Sequence, residues 1–479
     1  MQSDLSIGGV AGGDVNVARA STAALSEQRS DIIARLERLP FSRVHFRVAA
    51  ILSVGTFFDA FDAICIATAL TVIFTTLHIG FFDAGLVFSS GYVGQFVGAW
   101  GFGLLSERFG RKPAFVSALF LFGVLSMVTA LAWDLHSLVV MRMVQGLGLG
   151  GEIPAAAVLI NEMLRSHKRG RVSMMYQTIF QWGAMLTPVI GLLFFNLFGH
   201  GLGWRLMFLF GGIPALAAIY AWFKLPESPR WLADRGRYRE ADETVSQMES
   251  QPWPEPLRPP ERKPAPPLEQ THFRELFGGI YLRRTIVVWI AWICAYFVAY
   301  GFSLWLPTLY VKIGGLPVNY ALALSIIPWI TQMMTMYLGA LLVDRIGRKP
   351  IFRFGFLAIA FAGFGGAFVI YHWQTTQWQV LFGISFVQGI GTALCTTTLF
   401  TYTAELYPTR MRGLGVAVGS SMLRLAAVVA PSAVGALLAA HFGIHSVFVM
   451  FGTAGLVAAV VLSWLGIETK QQSLEALSP

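Results

Sequence analysis

The sequence predicts an all-α membrane protein of twelve transmembrane helices in two pseudo-symmetric six-helix halves. Three observations carry this: a charge-poor apolar composition, long hydrophobic runs whose connections alternate in charge, and a repeat relating the halves. Of 479 residues, 55% are hydrophobic and 13% are charged, against about 25% charged in an ordinary soluble chain. Water-soluble enzymes, nucleic-acid binders and disordered chains are excluded on that ground. The net charge of +9 then points to the cytoplasmic side of a membrane rather than to nucleic acid.

Taken in order, residues 1–30 lack the basic start and apolar block of a secretory leader, so 1–46 is expected to be a cytoplasmic tail. A bilayer crossing takes about 20 mostly apolar residues. Runs of that kind lie at 48–75, 85–105, 113–133, 137–162, 172–196 and 204–225, giving a first half over 47–225. The one long connection, 226–284, opens as Pro226-Glu-Ser-Pro-Arg-Trp-Leu232 and carries eight prolines in 252–267. That density of proline predicts an extended cytoplasmic tether. Further runs at 285–311, 319–342, 351–371, 378–403, 414–440 and 446–466 make a second half over 285–466, followed by a tail, 467–479. Cys65, Cys294 and Cys395 all fall inside apolar runs and read as small buried hydrophobes rather than a disulfide framework.

Connections on one side hold Arg108, Arg111 and Lys112, then Arg165, Lys168, Arg169 and Arg171, then Arg345, Arg348 and Lys349, then Arg410 and Arg412. Those on the other side hold a single Lys312. The positive-inside rule places the basic set and both termini in the cytoplasm. None of the four asparagines sits in an Asn-x-Ser/Thr acceptor, which with short outer loops suits a bacterial inner membrane.

Glu107-Arg-Phe-Gly-Arg-Lys-Pro113 recurs as Asp344-Arg-Ile-Gly-Arg-Lys-Pro350, an offset of 344 − 107 = 237. Gln145-Gly-Leu-Gly148 recurs as Gln388-Gly-Ile-Gly391, an offset of 243, which also carries Glu162 onto Glu405, Arg169 onto Arg412 and Pro188 onto Pro431. Parallel six-span repeats with a site at their shared midplane describe the major facilitator architecture.

Gly103-x3-Glu107-Arg108-x-Gly110-Arg111-Lys112 resembles the loop 2–3 signature of the major facilitator superfamily, with Glu where Asp is usual. Arg142-x2-Gln145-Gly146-x-Gly148 resembles its fourth-span motif. The Pro-Glu-Ser-Pro-Arg loop and Glu405-Leu-Tyr-Pro-Thr are similar to segments of sugar porters and organic-ion transporters. Asp59-Ala-Phe-Asp62 is similar to the span-one motif of aromatic-acid/proton symporters, and Gly150-Gly-Glu-Ile-Pro154 to niacin-type metabolite/proton symporters. The resemblance implies a transporter, not an enzyme, and proton-coupled uptake of a small aromatic carboxylate by alternating access. The rival reading is a sugar/proton symporter or sugar facilitator. No cofactor, metal or nucleic-acid partner is implied, and a monomer is expected.

An ionisable side chain within a span is costly and marks a functional candidate. Asp59, Asp62, Arg142, Glu152 and Arg424 qualify. Three acids face two arginines, so one carboxylate lacks a cation and is suited to carrying a proton. Asp59, Asp62, Arg142 and Glu152 are therefore the expected proton-coupling set. Arg424 is expected to bind a substrate anion. Tyr296, Tyr300, Gln177, Gln181, Trp182 and Gln332 are expected to line the cavity, while Trp289 and Trp305 suit the interfacial belt. Glu107, Arg108, Arg111, Glu162, Arg169, Glu227, Arg230, Asp344, Arg345, Arg348, Glu405 and Arg412 are expected to form a cytoplasmic gate of ion pairs.

Overall fold

The computed structural model describes residues 27–163, 169–251, 259 and 273–470, with side chains described outside 169–177 and 409–410. Gln177 and Arg169 therefore lie outside the described side chains. Among the described residues the secondary structure is entirely helical.

A short helix, α1 (27–38), precedes the first span. It is followed by α2 (Arg43–Thr76), α3 (Phe81–Phe109), α4 (Arg111–Thr129), α5 (Leu135–Met163), α6 (Arg169–Phe210) and α7 (Ile213–Lys224). The connection holds α8 (Pro229–Asp234) and α9 (Tyr238–Glu249). Then come α10 (Gly279–Ser303), α11 (Leu306–Lys312), α12 (Val318–Ile346), α13 (Arg348–Trp373), α14 (Trp378–Leu406), α15 (Thr409–Ala439) and α16 (Ile444–Leu465).

Among the described residues, ten helical segments are long and apolar enough to cross a membrane. One of them, Thr178–Lys224, holds two crossings, because Gly199 takes φ 74° and ψ 167° and breaks the helix. A residue with a Cβ rarely adopts that backbone, so a glycine sits at the turn. With α3, 29 residues long, the crossings number twelve. Span seven is itself interrupted: α10 stops at Ser303 and α11 resumes at Leu306. The break turns Trp305 inward, where it is fully buried and donates Nε1 to the Pro431 carbonyl at 3.1 Å. The interfacial placement expected for Trp305 is thus wrong.

The repeat is visible in three dimensions. Gly110 and Gly347, offset by 237, separate α3 from α4 and α12 from α13 with φ of 117° and 106°. Such values are readily available only to glycine, which lets two long helices meet at a one-residue corner. Within the first half, α3 and α5 approach until their backbones touch. A Cβ on Gly94 would stand 1.9 Å from the Met143 carbonyl oxygen, and one on Gly98 2.0 Å from that of Leu147. Small residues allow this approach where lipid offers no hydrophobic drive for helix association.

The halves meet at the ends of their helices remote from the basic loops. Ser89 of α3 donates to the Val428 carbonyl at 2.6 Å and shares a hydrogen bond with Ser432 at 2.7 Å. Phe88 sets its edge on Trp305, and Asn319 donates to Asn196 at 2.8 Å. Gly85 lies so near α15 that a Cβ there would sit 3.0 Å from the Pro431 carbonyl.

The segment expected to be a tail also contributes structure. Arg35 of α1 grips α9 through Glu249 and Asp242, and donates to Ser246 at 2.9 Å. Ile32, Leu36 and Leu39 are buried, as are Ala241, Val245 and Met248 of α9.

Overpacking a close helix contact costs about 1–3 kcal/mol. Gly98→Val is expected to lower the Tm of the purified protein, whereas Gly101→Ala, where no neighbour lies within 4 Å of the new Cβ, leaves it unchanged. Equal Tm values for the two variants would contradict the backbone contact between α3 and α5.

Candidate functional site

The intramembrane acids do not share one environment. Asp62 of α2 is 1% exposed and locked. Arg142 Nη1 donates to its two oxygens at 2.8 and 2.7 Å, and Gln145 Nε2 adds a bond at 2.8 Å. Arg142 also reaches the Gln145 side-chain oxygen at 2.9 Å, and its guanidinium lies 5.9 Å over the Phe208 ring. Residues three apart on a helix share a face, which is why Arg142 and Gln145 converge on one carboxylate. Gln145 was legible as part of the repeat and of the fourth-span motif but not as a partner of Asp62.

Asp59, one turn nearer the basic side, is 6% exposed. Its charged neighbours are Asp62, Arg424 and Arg142, and among the described residues it takes no hydrogen bond. Glu152 is fully buried, with neither oxygen hydrogen-bonded among the described residues. It lies against Gly55, where a Cβ would be 2.1 Å from its Oε1. Gly55 precedes Asp59 by four residues, so the carboxyls line adjacent turns of α2.

Arg424 of α15 is half-buried. Asp59 and Tyr300 are its polar neighbours, and it donates no hydrogen bond among the described residues. A guanidinium presents five N–H donors in a planar fork; here they stand unspent beside an aromatic file. Trp292 stacks on Tyr296 (5.4 Å, 13°), Tyr296 on Tyr300 (5.9 Å, 28°), and Tyr92 meets Tyr300 edge-on at 5.1 Å. The Tyr92 hydroxyl is buried without a hydrogen-bond partner among the described residues, beside Asp59, Asp62 and Arg142. Tyr92 joins the site from α3 and carries no sequence signal beyond being aromatic. Gln181, also expected here, keeps a buried Oε1 with no partner among the described residues, while Trp182 is 43% exposed. A small cavity lined by Ile64, Pro188, Trp329, Gln332, Ser385 and Gln388, among others, lies at the seam of the halves.

The basic rims form two matched clamps. Arg111 binds Glu107 at 2.9 Å and Glu162 at 3.1 Å. Arg348 binds Asp344 at 2.9 Å and Glu405 at 2.7 Å. Glu227 accepts the backbone N–H groups of Arg111, Lys112 and Ser228. Glu468, not singled out in the sequence, does the same for Arg348, Lys349, Thr469 and Lys470. Burial raises the pKa of Glu227 above the ordinary carboxylate value despite its donors. Burial also acts on Glu468, but its four backbone N–H groups outweigh it and hold its pKa low. Arg230 pairs with Glu37 at 2.6 Å and donates to the Glu162 carbonyl at 2.9 Å.

Two expectations need correcting here. Each clamp stays within one half, joining neighbouring helices rather than bridging the halves. Arg108 and Arg345 also make no ion pair among the described residues; Arg108 only stacks on Phe109, at 5.3 Å. Position decides this: the arginine after the corner glycine turns back under the helix ends, while the one before it points away.

Twelve membrane-crossing helices in two repeated halves, with buried charges at the seam, define a multi-pass secondary transporter of the major facilitator fold, not an enzyme. Residues 48–479 match the family described as "Sugar (and other) transporter", and the chain belongs to that family. It is 32% identical to the niacin transporter NiaP of Acinetobacter baylyi over 449 residues, covering 93% of this chain and 99% of that one. It is 30% identical to the inner membrane metabolite transport protein YdjE of Escherichia coli, covering 94% and 99%. The gentisate transporter of Corynebacterium glutamicum is 28% identical, covering 88% and 87%. Among solved structures, a D-xylose-proton symporter superposes with a TM-score of 0.71 at 20% identity, covering 89% of this chain and 99% of that one.

Removing one partner of a buried ion pair costs about 3–5 kcal/mol, while replacing both with apolar groups is often neutral. Arg142→Ala is expected to lower the Tm sharply, and Asp62→Leu combined with Arg142→Met to restore most of it. Thermal unfolding of the purified variants checks this; a mild Arg142→Ala would show that Asp62 is held some other way.

Proposed function

We propose that this transporter couples proton entry to uptake of a small aromatic carboxylate by alternating access. The observation that carries the reading is the contrast among the charges: Asp62 is matched to Arg142, while Arg424 and the carboxylates of Asp59 and Glu152 are not hydrogen-bonded among the described residues. An unspent guanidinium is a receptor for a substrate carboxylate. Carboxylates without hydrogen-bonded cations are suited to holding a transported proton. The stacked Trp292, Tyr296 and Tyr300 offer a flat ring an edge or a face. The niacin and gentisate transporters among the relatives support an organic acid. The sugar alternative draws on the Pro-Glu-Ser-Pro-Arg loop, the "Sugar (and other) transporter" family and the xylose symporter's likeness in fold; against it, a neutral sugar gives Arg424 nothing to neutralise.

In this reading the basic rims face the cytoplasm, with both termini and residues 226–284, and the membrane is a bacterial inner membrane. The halves touch at the far ends, so this state is closed to the outside. Within each half the clamps of Arg111 and Arg348 hold neighbouring helices as rigid bodies, which rock against each other when the cytoplasmic side closes. A reporter fused after residue 250 is expected to read as cytoplasmic; a periplasmic signal would invert the topology.

Hydrogen bonds to a charged group contribute about 1.5–3 kcal/mol, or one to two decades of affinity. Nicotinate, benzoate and glucose offered side by side to proteoliposomes are expected to show uptake of an acid, with strong preference over its neutral amide. Arg424→Ala should lose most of that preference. A variant that discriminates acid from amide as well as wild type would make Arg424 structural and remove the carboxylate assignment.

A further inference from the structure

Gln388 of α14 is the repeat counterpart of Gln145, yet its surroundings are opposite. Gln145 spends its amide on Asp62 and Arg142. Gln388 is 1% exposed, and neither its Nε2 nor its Oε1 has a hydrogen-bond partner among the described residues. Leaving a buried amide unsatisfied costs free energy that an apolar residue would avoid. Such groups therefore call for an explanation outside the fold itself.

The side chain lines the cavity at the seam of the halves, with Ile64 and Pro188 from the first half and Phe302, Gln332 and Ser385 from the second. The other polar groups there are engaged or neutral. Ser385 donates to the Phe382 carbonyl at 2.7 Å and meets the Tyr310 hydroxyl at 3.2 Å. Ser325 donates to the Ala321 carbonyl at 2.7 Å, and Thr392 to that of Gln388 at 3.0 Å. Among the described residues, the cavity lining includes no charged side chain. Two lining residues lie close along the chain to the charged site: Ile64 is five residues beyond Asp59 on α2, about 7.5 Å of helical rise, and Ala299 adjoins Tyr300.

We propose that Gln388 forms a second, neutral subsite that binds a hydroxyl group on the substrate, at the end away from the group held by Arg424. A hydroxyl donates and accepts, so one substituent satisfies both Oε1 and Nε2, while a ring nitrogen satisfies only the donor and a bare ring satisfies neither. The ranking that follows is hydroxylated aromatic acid, then pyridine acid, then unsubstituted acid. This deepens the carboxylate reading and rests on it for the position of the other end.

The test uses purified full-length protein, with equilibrium binding of 3-hydroxybenzoate, nicotinate, benzoate and glucose, and with Tm measured without ligand. Wild type is expected to prefer 3-hydroxybenzoate over benzoate by about tenfold or more. Gln388→Leu should shrink that preference to within about threefold while leaving benzoate affinity unchanged. Its Tm should equal or exceed that of wild type, whereas Gln145→Leu should fall. A hydroxyl preference that survives in Gln388→Leu, or is missing from wild type, overturns the subsite. So does a Tm loss as large as that of Gln145→Leu, which would make the amide structural. Should glucose bind and the acids not, the carboxylate reading fails; the subsite then stands only if Gln388→Leu weakens glucose binding.

Discussion

A carboxylate within a membrane protein must find a cation or hold a proton, and the site is organised by how three acids divide two arginines. Asp62 takes Arg142 with the help of Gln145. That pairing fixes α2 against α5 and consumes one cation. Arg424 and Asp59 are left as neighbours without a hydrogen bond among the described residues, and Glu152 lies against Gly55 with Asp59 as its charged neighbour. In the proposed mechanism transport chemistry follows from this imbalance, because a fully matched set would have no reason to exchange protons or anions.

The rest of the chain keeps that imbalance stable. Glycines on α3 and α5 let the backbones touch, which holds Arg142 and Glu152 at fixed height along α2. The two clamps, each an arginine behind a corner glycine with a glutamate capping the next helix, tie the basic ends of each half together. Contacts between the halves include serine hydroxyls on carbonyls, ring edges, a pair of asparagines and the Lys312 ammonium over the Phe74 ring. Among the described residues these contacts include no ion pair, which suits a seam that opens.

Much of this was legible in the sequence. Apolar runs marked the spans, the 237 and 243 offsets marked the repeat, and ionisable residues inside apolar runs marked the candidate site. What was illegible depends on which partner a side chain finds. Nothing in the spacing of Asp59 and Asp62 says which one Arg142 reaches. Arg108 and Arg111 read alike until the corner at Gly110 turns one inward. Trp305 resembles a belt residue until the break between α10 and α11 buries it. Glu468 lies in a short terminal segment without a visible repeat, although its counterpart Glu227 sits in a recognisable motif. Gln388 was in view as a repeat element, but only the structure shows that its amide is unspent.

The central claim is that the unmatched carboxylates, not the matched one, carry the proton. The direct measurement compares Glu152→Gln, Asp59→Asn and Asp62→Asn in proteoliposomes under an imposed pH gradient, scoring uphill accumulation and substrate exchange separately. Glu152→Gln or Asp59→Asn should abolish accumulation while exchange continues, whereas Asp62→Asn should impair stability and both activities together. Accumulation at wild-type level in both the Glu152 and Asp59 variants would contradict the account.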